Sequence, residues 1–280
     1  MEKLASVVVL YEPSIEILKN ISSYLEDVEK LYVVDNSKIN NENLIQINTK
    51  IEYIWNEKNL GIAKALNLAC EKAIKDGFNW ILTLDQDSKF EDHIVFEIKK
   101  QLNNVMNNIG IVTPWHCTKL MVEKSTNEVD YPDDIMTSGN FLNLKIYKKL
   151  GGFKNDFFID GVDIEYCLRL KKNNYSIMRL NKYELKHDLG HIVIHRFLGR
   201  NYICTNHNYL RNYYMARNYR YIKKEYGEIS PNFCNTLIKY KGIMFKIIMF
   251  EKDKYRKIRN IFRGIFDFHR NIKGEYRFKN

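Results

Sequence analysis

Short apolar runs alternate with segments of helical periodicity along the first half of the chain, and this alternation restricts the fold more than any other feature. The runs are rich in β-branched residues, as buried parallel strands are. They lie at 6–10, 31–34, 51–55, 80–84, 109–113 and 136–144. Helical spacing is found at 14–25 and 62–74. This order predicts an α/β fold with an open, mostly parallel sheet and helices on both faces.

Two carboxylates follow the fourth run, which reads WILTLDQDS over 80–88. On an extended chain Asp85 and Asp87 would face one pocket, with Gln86 pointing away. Ligands of open α/β sheets bind at the carboxyl ends of the strands, where Tyr11 and Asp35 are also expected. Carboxylates suit Mg²⁺ or Mn²⁺, which commonly binds through one or two of them plus substrate phosphates. The pattern indicates a diphosphate ligand; a solvated acidic turn is the alternative.

The charge of +10 is concentrated at the C-terminal end of the chain. Residues 220–280 hold 16 Lys or Arg against 6 Asp or Glu. From Asp253 onward, apolar residues recur at 258, 261, 262, 265 and 266 with basic residues between them, which predicts a basic amphipathic helix. Such a helix either packs its apolar stripe on the protein or lies on an anionic membrane. The second reading predicts a membrane surface as a partner.

Composition limits the class of protein. With 280 residues and 45% apolar content, the chain is long enough for one large domain with an appendage. We expect neither a signal peptide nor a membrane span, because no apolar stretch is long enough. Five scattered cysteines without a C-x-x-C pair argue against a disulfide framework or a zinc site and favour a reducing cytoplasm.

Seven motifs, in order, resemble bacterial rhamnosyltransferases of surface-polysaccharide assembly within glycosyltransferase family 2. They are VVLYEPS (8–14), VVDNS (33–37), NLGIAKALN (59–67), LDQDS (84–88), SGNF (138–141), GGFKNDFFIDGVDIEYCLRL (151–170) and RNYYMARN (211–218). The resemblance implies a Rossmann-like GT-A fold. It divides the chain into a catalytic domain, 1–219, and a basic helical extension, 220–280. The nucleotide-binding half would be about 1–90 and the acceptor and base half about 91–219.

The resemblance also implies roles in binding the donor. Asp35 would accept a hydrogen bond from the imide of uracil or thymine, or else form a turn. Asn59 and Gly61 would bring backbone close to the ligand at a helix start, and Lys64 would face a phosphate or solvent. Asp85 would contact the ribose or help hold the metal. The metal ligands would be Asp87, Asp85 and His187, with His191 and His195 as rivals of His187.

Catalysis is assigned to the segment after the glycine-rich loop. Asp163 matches the family's general base, with Asp160 and Glu165 as fallbacks; a helix N-terminus favours an ionised carboxylate there, and plain helix capping is the alternative. In the family the residue before this base is usually acidic, whereas here it is Val162. Arg211 and Arg217 would reach the diphosphate or pack along a helix with tyrosines.

The expected function is inverting transfer of a sugar with Mn²⁺ or Mg²⁺ as cofactor. The donor implied by the DQDS form is dTDP-L-rhamnose, with a UDP-hexose or UDP-N-acetylhexosamine as the alternative. The acceptor would be a lipid-linked saccharide at the inner face of the cell membrane, in capsule, O-antigen or cell-wall synthesis. A homodimer stays open. A nucleic-acid-binding module is a remote alternative without a recognisable motif, and a nucleotide-binding scaffold without catalysis is another.

Overall fold

The chain divides into two compact units. The computed structural model describes residues 2–45, 48–91, 93–117, 124–186 and 192–277. Unit 1 comprises 1–153 and 169–188, and unit 2 comprises 154–168 and 189–280. The boundary expected from the sequence, between 219 and 220, falls inside the helix Tyr209–Tyr226. The division into 1–219 and 220–280 therefore stays a prediction.

Unit 1 is built on one large sheet. Its strands are β1 Leu4–Leu10, β2 Lys30–Asp35, β3 Ile51–Trp55, β4 Trp80–Asp85, β5 Lys89–Phe90, β6 Ile109–Cys117, β7 Val129–Asp130, β8 Asn140–Asn143 and β9 Ser176–Lys186. Its helices are α1 Ile17–Ser22, α2 Ile62–Lys75, α3 Ile94–Gln101 and α4 Leu144–Leu150. Helix α5, Val162–Lys172, begins in unit 2 and ends in unit 1.

The strand order is β3-β2-β1-β4-β8-β6-β9-β5, with β7 paired to β9. The first four strands are parallel, and β8 runs antiparallel to both of its neighbours. In β1, Val8 lies between Val33 of β2 and Leu84 of β4. The chain moves outward from β1 through β2 to β3 and then returns to the other side of β1. The predicted open, mostly parallel sheet is confirmed, and its strand order reverses beside β1.

Burial on both faces explains the continuous apolar character of the central strands. All seven residues of β1 are buried. Val8 and Leu10 belong to the same apolar cluster as Ile17 of α1 and Ile98 of α3. Helix α2 packs on β1, β2 and β4 through a buried row of small residues that includes Ala69. Each fully buried Val or Leu contributes about 1.5–3 kcal/mol relative to exposure, so the stack of β1, β2 and β4 anchors unit 1.

Two predicted elements are shorter than the sequence pattern indicated. The strand expected at 136–144 is β8, Asn140–Asn143, because the residues before it form a turn. In that turn Gly139 has φ +82° and its N–H donates to the Thr83 carbonyl (2.7 Å). The helix expected at 14–25 is reduced to α1, and its first residue donates from its N–H to the Ser14 carbonyl (3.2 Å). In both cases the residues before the element form hydrogen-bonded turns in place of regular strand or helix.

Unit 2 contains a β-hairpin and four helices among the residues described. These are β10 Val193–Phe197, β11 Arg200–Cys204, α6 Tyr209–Tyr226, α7 Pro231–Leu237, α8 Tyr240–Phe250 and α9 Lys254–His269. The predicted amphipathic helix is α9, and its Ile261 is buried against Ala216 of α6 and Ile247 of α8. Ile258, Ile261 and Ile265 of its apolar stripe thus pack within the unit, and Phe262 and Phe266 are exposed. Across the described ranges, we found no helix with the length and apolar character that crossing a bilayer requires.

Candidate active site

Most of the residues expected to bind a nucleotide lie at one edge of the unit 1 sheet, whereas Arg211 belongs to unit 2. Asp35 ends β2 beside Leu10, and Asp85 ends β4 beside Val9. Two strand spacings of about 4.8 Å separate β2 from β4, so the two backbones are about 10 Å apart. Tyr11 follows β1 between them and is 49% exposed. This edge is where the strand order reverses, the place at which open α/β sheets bind ligands.

Asp35 is fully buried and held by several donors. Its Oδ1 accepts from the backbone N–H of Ser37 (2.8 Å). Its Oδ2 accepts from Asn41 Nδ2 (2.8 Å) and from the Tyr53 hydroxyl (2.5 Å). Burial alone raises the pKa of Asp35, but hydrogen bonds from Ser37, Tyr53 and Asn41 outweigh it and leave the pKa below its usual value. Asp35 therefore forms the turn that was the alternative to base recognition, and its carboxylate is ionised at the edge of the site.

The start of α2 is fixed by asparagines. Asn59 Oδ1 accepts from the N–H of Gly61 (2.9 Å), which precedes the helix with φ +83°. The Gly61 carbonyl accepts from Asn36 Nδ2 (3.3 Å), and Asn36 Oδ1 accepts from Asn56 Nδ2 (2.9 Å). Lys64, in the first turn of α2, is exposed. The ends of β2 and β3 thus position the N-terminus of α2, which favours negative charge.

The acidic pair lies on a tight turn instead of an extended chain. The N–H of Ser88 donates to the carbonyl of Asp85 (3.1 Å), so 85–88 reverses direction. The prediction of an extended chain here, with both carboxylates on one side and Gln86 on the other, is therefore wrong. Asp85 is half-buried and Asp87 is exposed.

Gln86 connects the turn to β1 through both ends of its amide. Its Oε1 accepts from the Tyr11 N–H (2.8 Å), and its Nε2 donates to the Tyr11 carbonyl (3.3 Å). Asn20 Nδ2 donates to the Gln86 carbonyl (2.8 Å). A side chain that both accepts and donates is required for this pairing, and a carboxylate cannot supply the donor. Gln86 therefore fixes the backbone from which the Tyr11 side chain projects.

Gln86→Glu should weaken nucleotide binding without unfolding the protein. The substitution keeps the acceptor for the Tyr11 N–H but sets a carboxylate oxygen against the Tyr11 carbonyl. We expect a loss of about tenfold in affinity for nucleoside diphosphate, equivalent to about 1.4 kcal/mol. Calorimetric titration would measure it, with Gln101→Glu as the matched control, since Gln101 at the end of α3 donates to the Tyr183 hydroxyl on β9. An unchanged nucleotide affinity in Gln86→Glu would show that binding does not depend on the hydrogen bonds between the Gln86 amide and the Tyr11 backbone.

Sequence reasoning missed the residues that support the turn from behind. Ser138 Oγ accepts from the N–H of Asp85 (3.1 Å) and contacts Ser88 Oγ (2.6 Å). His116 Nε2 lies 2.6 Å from the Ser138 carbonyl. Ser138 belongs to the SGNF motif, so its presence was a signal without an assigned role. These contacts hold the acidic turn against β6 and β8.

The donor set suits a hard divalent cation bound jointly with phosphate. Asp85 and Asp87 lie two residues apart on one turn, and Mg²⁺ or Mn²⁺ needs only one or two carboxylates when a diphosphate completes the shell. Within the described part of the chain no cluster of three or more His, Cys, Asp or Glu exists that could hold a metal alone. His187 and His191 lie outside the described residues. His195 lies in β10, where its ring stacks on Phe250 at 4.8 Å.

Unit 2 carries the three candidate bases, and their environments differ. Asp160 has a side chain only 4% exposed and is held by Arg211, whose Nη2 lies 2.5 Å from Oδ1. Burial raises the pKa of Asp160, and Arg211 opposes that rise. Glu165 is fully buried, accepts from the Tyr226 hydroxyl (2.5 Å) and pairs with Lys154 (3.3 Å). Asp163, in the first turn of α5, is only partly buried. Of the three, Asp163 has the side chain that is accessible to a substrate.

Helix α6 holds the loop before α5 through two buried side chains. Asn218 Nδ2 donates to the carbonyls of Phe157, Ile159 and Asp160 at 2.8–2.9 Å. Arg217, also fully buried, donates to the carbonyls of Asp156 (3.2 Å) and Gly274 (2.7 Å). The loop needs this support because Phe158 and Asp160 both have positive φ, which costs of order 1–3 kcal/mol each. Arg217 is thus committed to the fold, which corrects the expectation that it could reach a diphosphate.

Arg211 and Arg217 therefore differ. Arg211 contacts Asp160 through Nε as well as Nη2, and its side chain is 41% exposed. This exposure leaves part of the guanidinium open to a ligand. The packing alternative is the one observed for Arg217, which lies against the rings of Tyr213 and Tyr214.

His207, just before α6, should make unit 2 sensitive to acid. Burial, helped by Arg211 and Lys257, lowers its pKa to about 4. The unfolded chain would protonate His207 near pH 6.5. Because the folded pKa is the lower one, stability falls as pH drops from about 6.5 towards 4. We expect His207→Gln to flatten that loss in urea unfolding measured across this range, and the exposed His269→Gln to follow the parent. Identical pH profiles for His207→Gln and the parent would contradict the assignment.

Comparisons with known proteins agree with this geometry. Residues 12–116 match the Glycosyl transferase family 2 model. The chain is 23% identical over 194 residues to dTDP-rhamnosyl transferase RfbF of Shigella flexneri, covering 62% of this chain and 64% of that protein. It is 33% identical over 192 residues to bifunctional protein GlmU of Methanococcus maripaludis, covering 62% and 44%. The chain thus spans less than two thirds of each curated relative.

A solved structure shares the fold. GalNAc-T7 with UDP, GalNAc and Mn²⁺ superposes with a TM-score of 0.53 at 13% identity, covering 70% of this chain and 44% of that one. The sheet and its helices are those of a GT-A fold. The match to the glycosyltransferase family 2 model spans β2, β3, β4 and the acidic turn.

Proposed function

We propose that this protein is an inverting, metal-dependent glycosyltransferase that moves L-rhamnose from dTDP-rhamnose onto a lipid-linked oligosaccharide. The observation that carries the proposal is the edge of the unit 1 sheet. An acidic turn, a buried ionised aspartate and the N-terminus of a helix converge there. Each favours one part of a nucleoside diphosphate: carboxylates bind its cation, an aspartate accepts from a base imide, and a helix N-terminus favours phosphate.

Asp35 is the proposed base-reading residue, and Tyr53 and Asn41 hold it in place. A carboxylate at this position can accept from the imide N–H that uracil and thymine share. It does not discriminate dTDP from UDP. Tyr11, exposed and backed by Gln86, offers a ring beside the base or ribose. Arg211 and Lys64 are proposed to add positive charge near the diphosphate.

Asp163 is the proposed general base. Its carboxylate takes the proton from an acceptor hydroxyl while that oxygen attacks the anomeric carbon and the bond to the diphosphate breaks. The nucleoside diphosphate leaves, and a single displacement inverts the configuration at the anomeric carbon. The first turn of α5 stabilises the ionised form of Asp163, as a base requires. Asp160 and Glu165 are weaker candidates because both are buried in ion pairs.

Asp87 and Asp85 are the proposed metal ligands, with His187 as the proposed third. Mn²⁺ or Mg²⁺ supplies, when bound, charge neutralisation on the departing diphosphate. Asp85 is fixed by Ser138 through its backbone, whereas Asp87 lies at the exposed part of the turn. The turn therefore presents one positioned and one adaptable carboxylate.

The choice of rhamnose rests on two supports. The DQDS form resembles rhamnosyltransferases, and the Shigella relative carries dTDP-rhamnosyl transferase in its name. A UDP-hexose or UDP-N-acetylhexosamine is the competing donor, favoured by the UDP and GalNAc in the structural neighbour. Both donors fit the same mechanism and the same carboxylates.

Titration against nucleotide sugars separates the donors. We expect dTDP-L-rhamnose to bind in the presence of Mn²⁺ at least about tenfold more tightly than UDP-glucose, UDP-galactose or UDP-N-acetylglucosamine, a difference of about 1.4 kcal/mol. Omitting Mn²⁺ should weaken every donor together. Tighter binding of any UDP-sugar would replace rhamnose with that sugar and leave the mechanism intact. Absence of nucleotide-sugar binding altogether would end the enzyme proposal.

The acceptor is proposed from the resemblance to rhamnosyltransferases of surface-polysaccharide assembly. A lipid-linked saccharide lies at the inner face of the cell membrane, so the enzyme would work there as a peripheral protein. The basic C-terminal segment favours an anionic surface. Deleting 253–280 would not test this, because α9 packs into unit 2 and Arg217 bonds the Gly274 carbonyl. Point substitutions on exposed residues are required instead.

A further inference from the structure

Helix α8 is apolar in composition and largely uncovered. Eight of its eleven residues are apolar, yet only Ile247 is buried. Phe245, Ile248 and Met249 are 38%, 48% and 42% exposed. Their spacing of three and four residues places them on one side of the helix. A single exposed leucine needs no explanation, but a row of three large apolar residues on one helix does.

The β10–β11 hairpin, which packs on α8, carries a second exposed apolar face. His195 and Tyr202, a cross-strand pair, contact Phe250 of α8 with ring centroids at 4.8 and 5.5 Å. The next pair, Ile194 and Ile203, is 57% and 39% exposed and faces the other way, since neighbouring residues of a strand alternate. The hairpin therefore uses one face to join α8 and leaves the other face apolar and open.

The turn of the hairpin ends in an exposed leucine. Leu198 is 84% exposed and has φ +48°, a conformation that branched and bulky residues rarely adopt. Glycine or asparagine would adopt this backbone conformation more easily, and neither would expose a large apolar side chain to water. A leucine at the exposed tip of a strained turn is favourable if its side chain inserts into the apolar part of a lipid bilayer.

The charges around this surface have one sign. The hairpin contains Arg196 and Arg200, both exposed, and neither of its strands holds an acid. Helix α8 contains Lys241 and Lys246 and no acid. A second copy of the same surface would be repelled by it. Within α8 and the two strands the charged residues that accompany the apolar ones are all cations. This combination complements an anionic lipid bilayer, where the side chains enter the interface and the cations meet the headgroups.

We infer that α8 and the β10–β11 hairpin form the membrane-docking surface of this protein, with Leu198, Ile248 and Met249 entering the lipid interface. Helix α9 is not assigned to that surface, because Ile258, Ile261 and Ile265 of its apolar stripe pack against α6 and α8, although Phe262 and Phe266 are exposed. The proposed lipid-linked acceptor gives this surface a reason to meet a membrane, and in that respect the inference rests on the proposed function. Binding to vesicles without any sugar donor tests it independently of catalysis.

The test is co-sedimentation of the full chain with vesicles of equimolar phosphatidylcholine and phosphatidylglycerol. We expect the parent to bind these vesicles, to bind phosphatidylcholine vesicles at least about tenfold more weakly, and to be released by salt. The double variant Ile248→Glu/Met249→Glu should lose at least tenfold in vesicle affinity. Leu198→Gly, which relieves the positive φ and cannot unfold the turn, should lose affinity in the same direction.

A matched pair on α9 identifies the surface. Phe262 and Phe266 are each 56% exposed, and Phe262→Glu/Phe266→Glu introduces the same two charges on the neighbouring helix. We expect this variant to bind vesicles like the parent. Loss of binding in the α9 pair with retention in the α8 pair would overturn the inference, as would a parent that ignores vesicles but binds single-stranded DNA or polyglutamate. Circular dichroism and nucleotide titration show that each variant is folded.

Discussion

Asp163→Asn is expected to lower kcat for sugar transfer by about 10²–10⁴-fold, the range that a general base supplies. The amide has nearly the shape of the carboxylate but cannot take the proton from the acceptor hydroxyl. Asp163 is partly exposed in the first turn of α5, so the exchange removes a charge from a position that is not fully buried. Nucleotide affinity, measured by calorimetry with Mn²⁺, should stay within about twofold of the parent.

Two neighbouring carboxylates provide the controls. Glu165→Gln should act on stability, because Glu165 is buried with Tyr226 and Lys154, and its folded fraction should retain transfer. Asp156→Asn, at an exposed aspartate that pairs with Lys273 at 3.3 Å, should behave like the parent. If Asp163→Asn transfers sugar at the parent rate while Asp160→Asn does not, the base is Asp160.

The parallel strands of unit 1 were predictable because they are buried on both faces. Burial on both sides demands a continuous apolar run, and 51–55 agrees with β3 to the residue, whereas 6–10 and 80–84 fall within one or two residues of β1 and β4. The carboxyl edge followed from the strand order, so the expectation that Tyr11, Asp35 and Asp85 lie at strand ends is confirmed.

The contacts of individual polar side chains were not predictable. Nothing in DQDS distinguishes an extended strand end from a turn, because the decisive bond joins Ser88 to Asp85 through the backbone. The partner of Gln86 lies 75 residues earlier in the chain, and the partner of Arg217 lies 57 residues later. Periodicity reports which face of an element is buried and carries no information on such distant partners.

The C-terminal helix shows the same limit. Of its predicted stripe at 258, 261, 262, 265 and 266, the structure packs Ile258, Ile261 and Ile265 into unit 2 and leaves Phe262 and Phe266 exposed. The more exposed apolar helix is α8, whose composition lacks a sharp polar face. An amphipathic pattern thus identifies a buried face, whereas an interface with lipid is indicated by apolar residues that the fold fails to cover.

Asp87→Asn is expected to abolish the contribution of Mn²⁺ to nucleotide binding. Asp87 is exposed on a turn that Ser138 and Gln86 hold through other residues, so its loss should leave the fold intact. Removing a supporting residue near a metal costs about 10–100-fold in metal affinity, and removing a direct ligand should reach at least the upper end. Titrating UDP and dTDP with and without Mn²⁺ should show a large enhancement in the parent and nearly none in Asp87→Asn.

Glu91→Gln is the matched control for this result. Glu91 is an exposed acid near the same turn, paired with Lys186 at 2.7 Å, so its substitution removes one negative charge without touching the proposed metal site. The control should keep the full enhancement by Mn²⁺, which separates loss of a ligand from a change in local charge. A cation held by Asp85 and other groups alone would leave Asp87→Asn as responsive to Mn²⁺ as Glu91→Gln. In that outcome the acidic turn would contribute one metal ligand in place of two, and Asp87 would be a solvated turn residue.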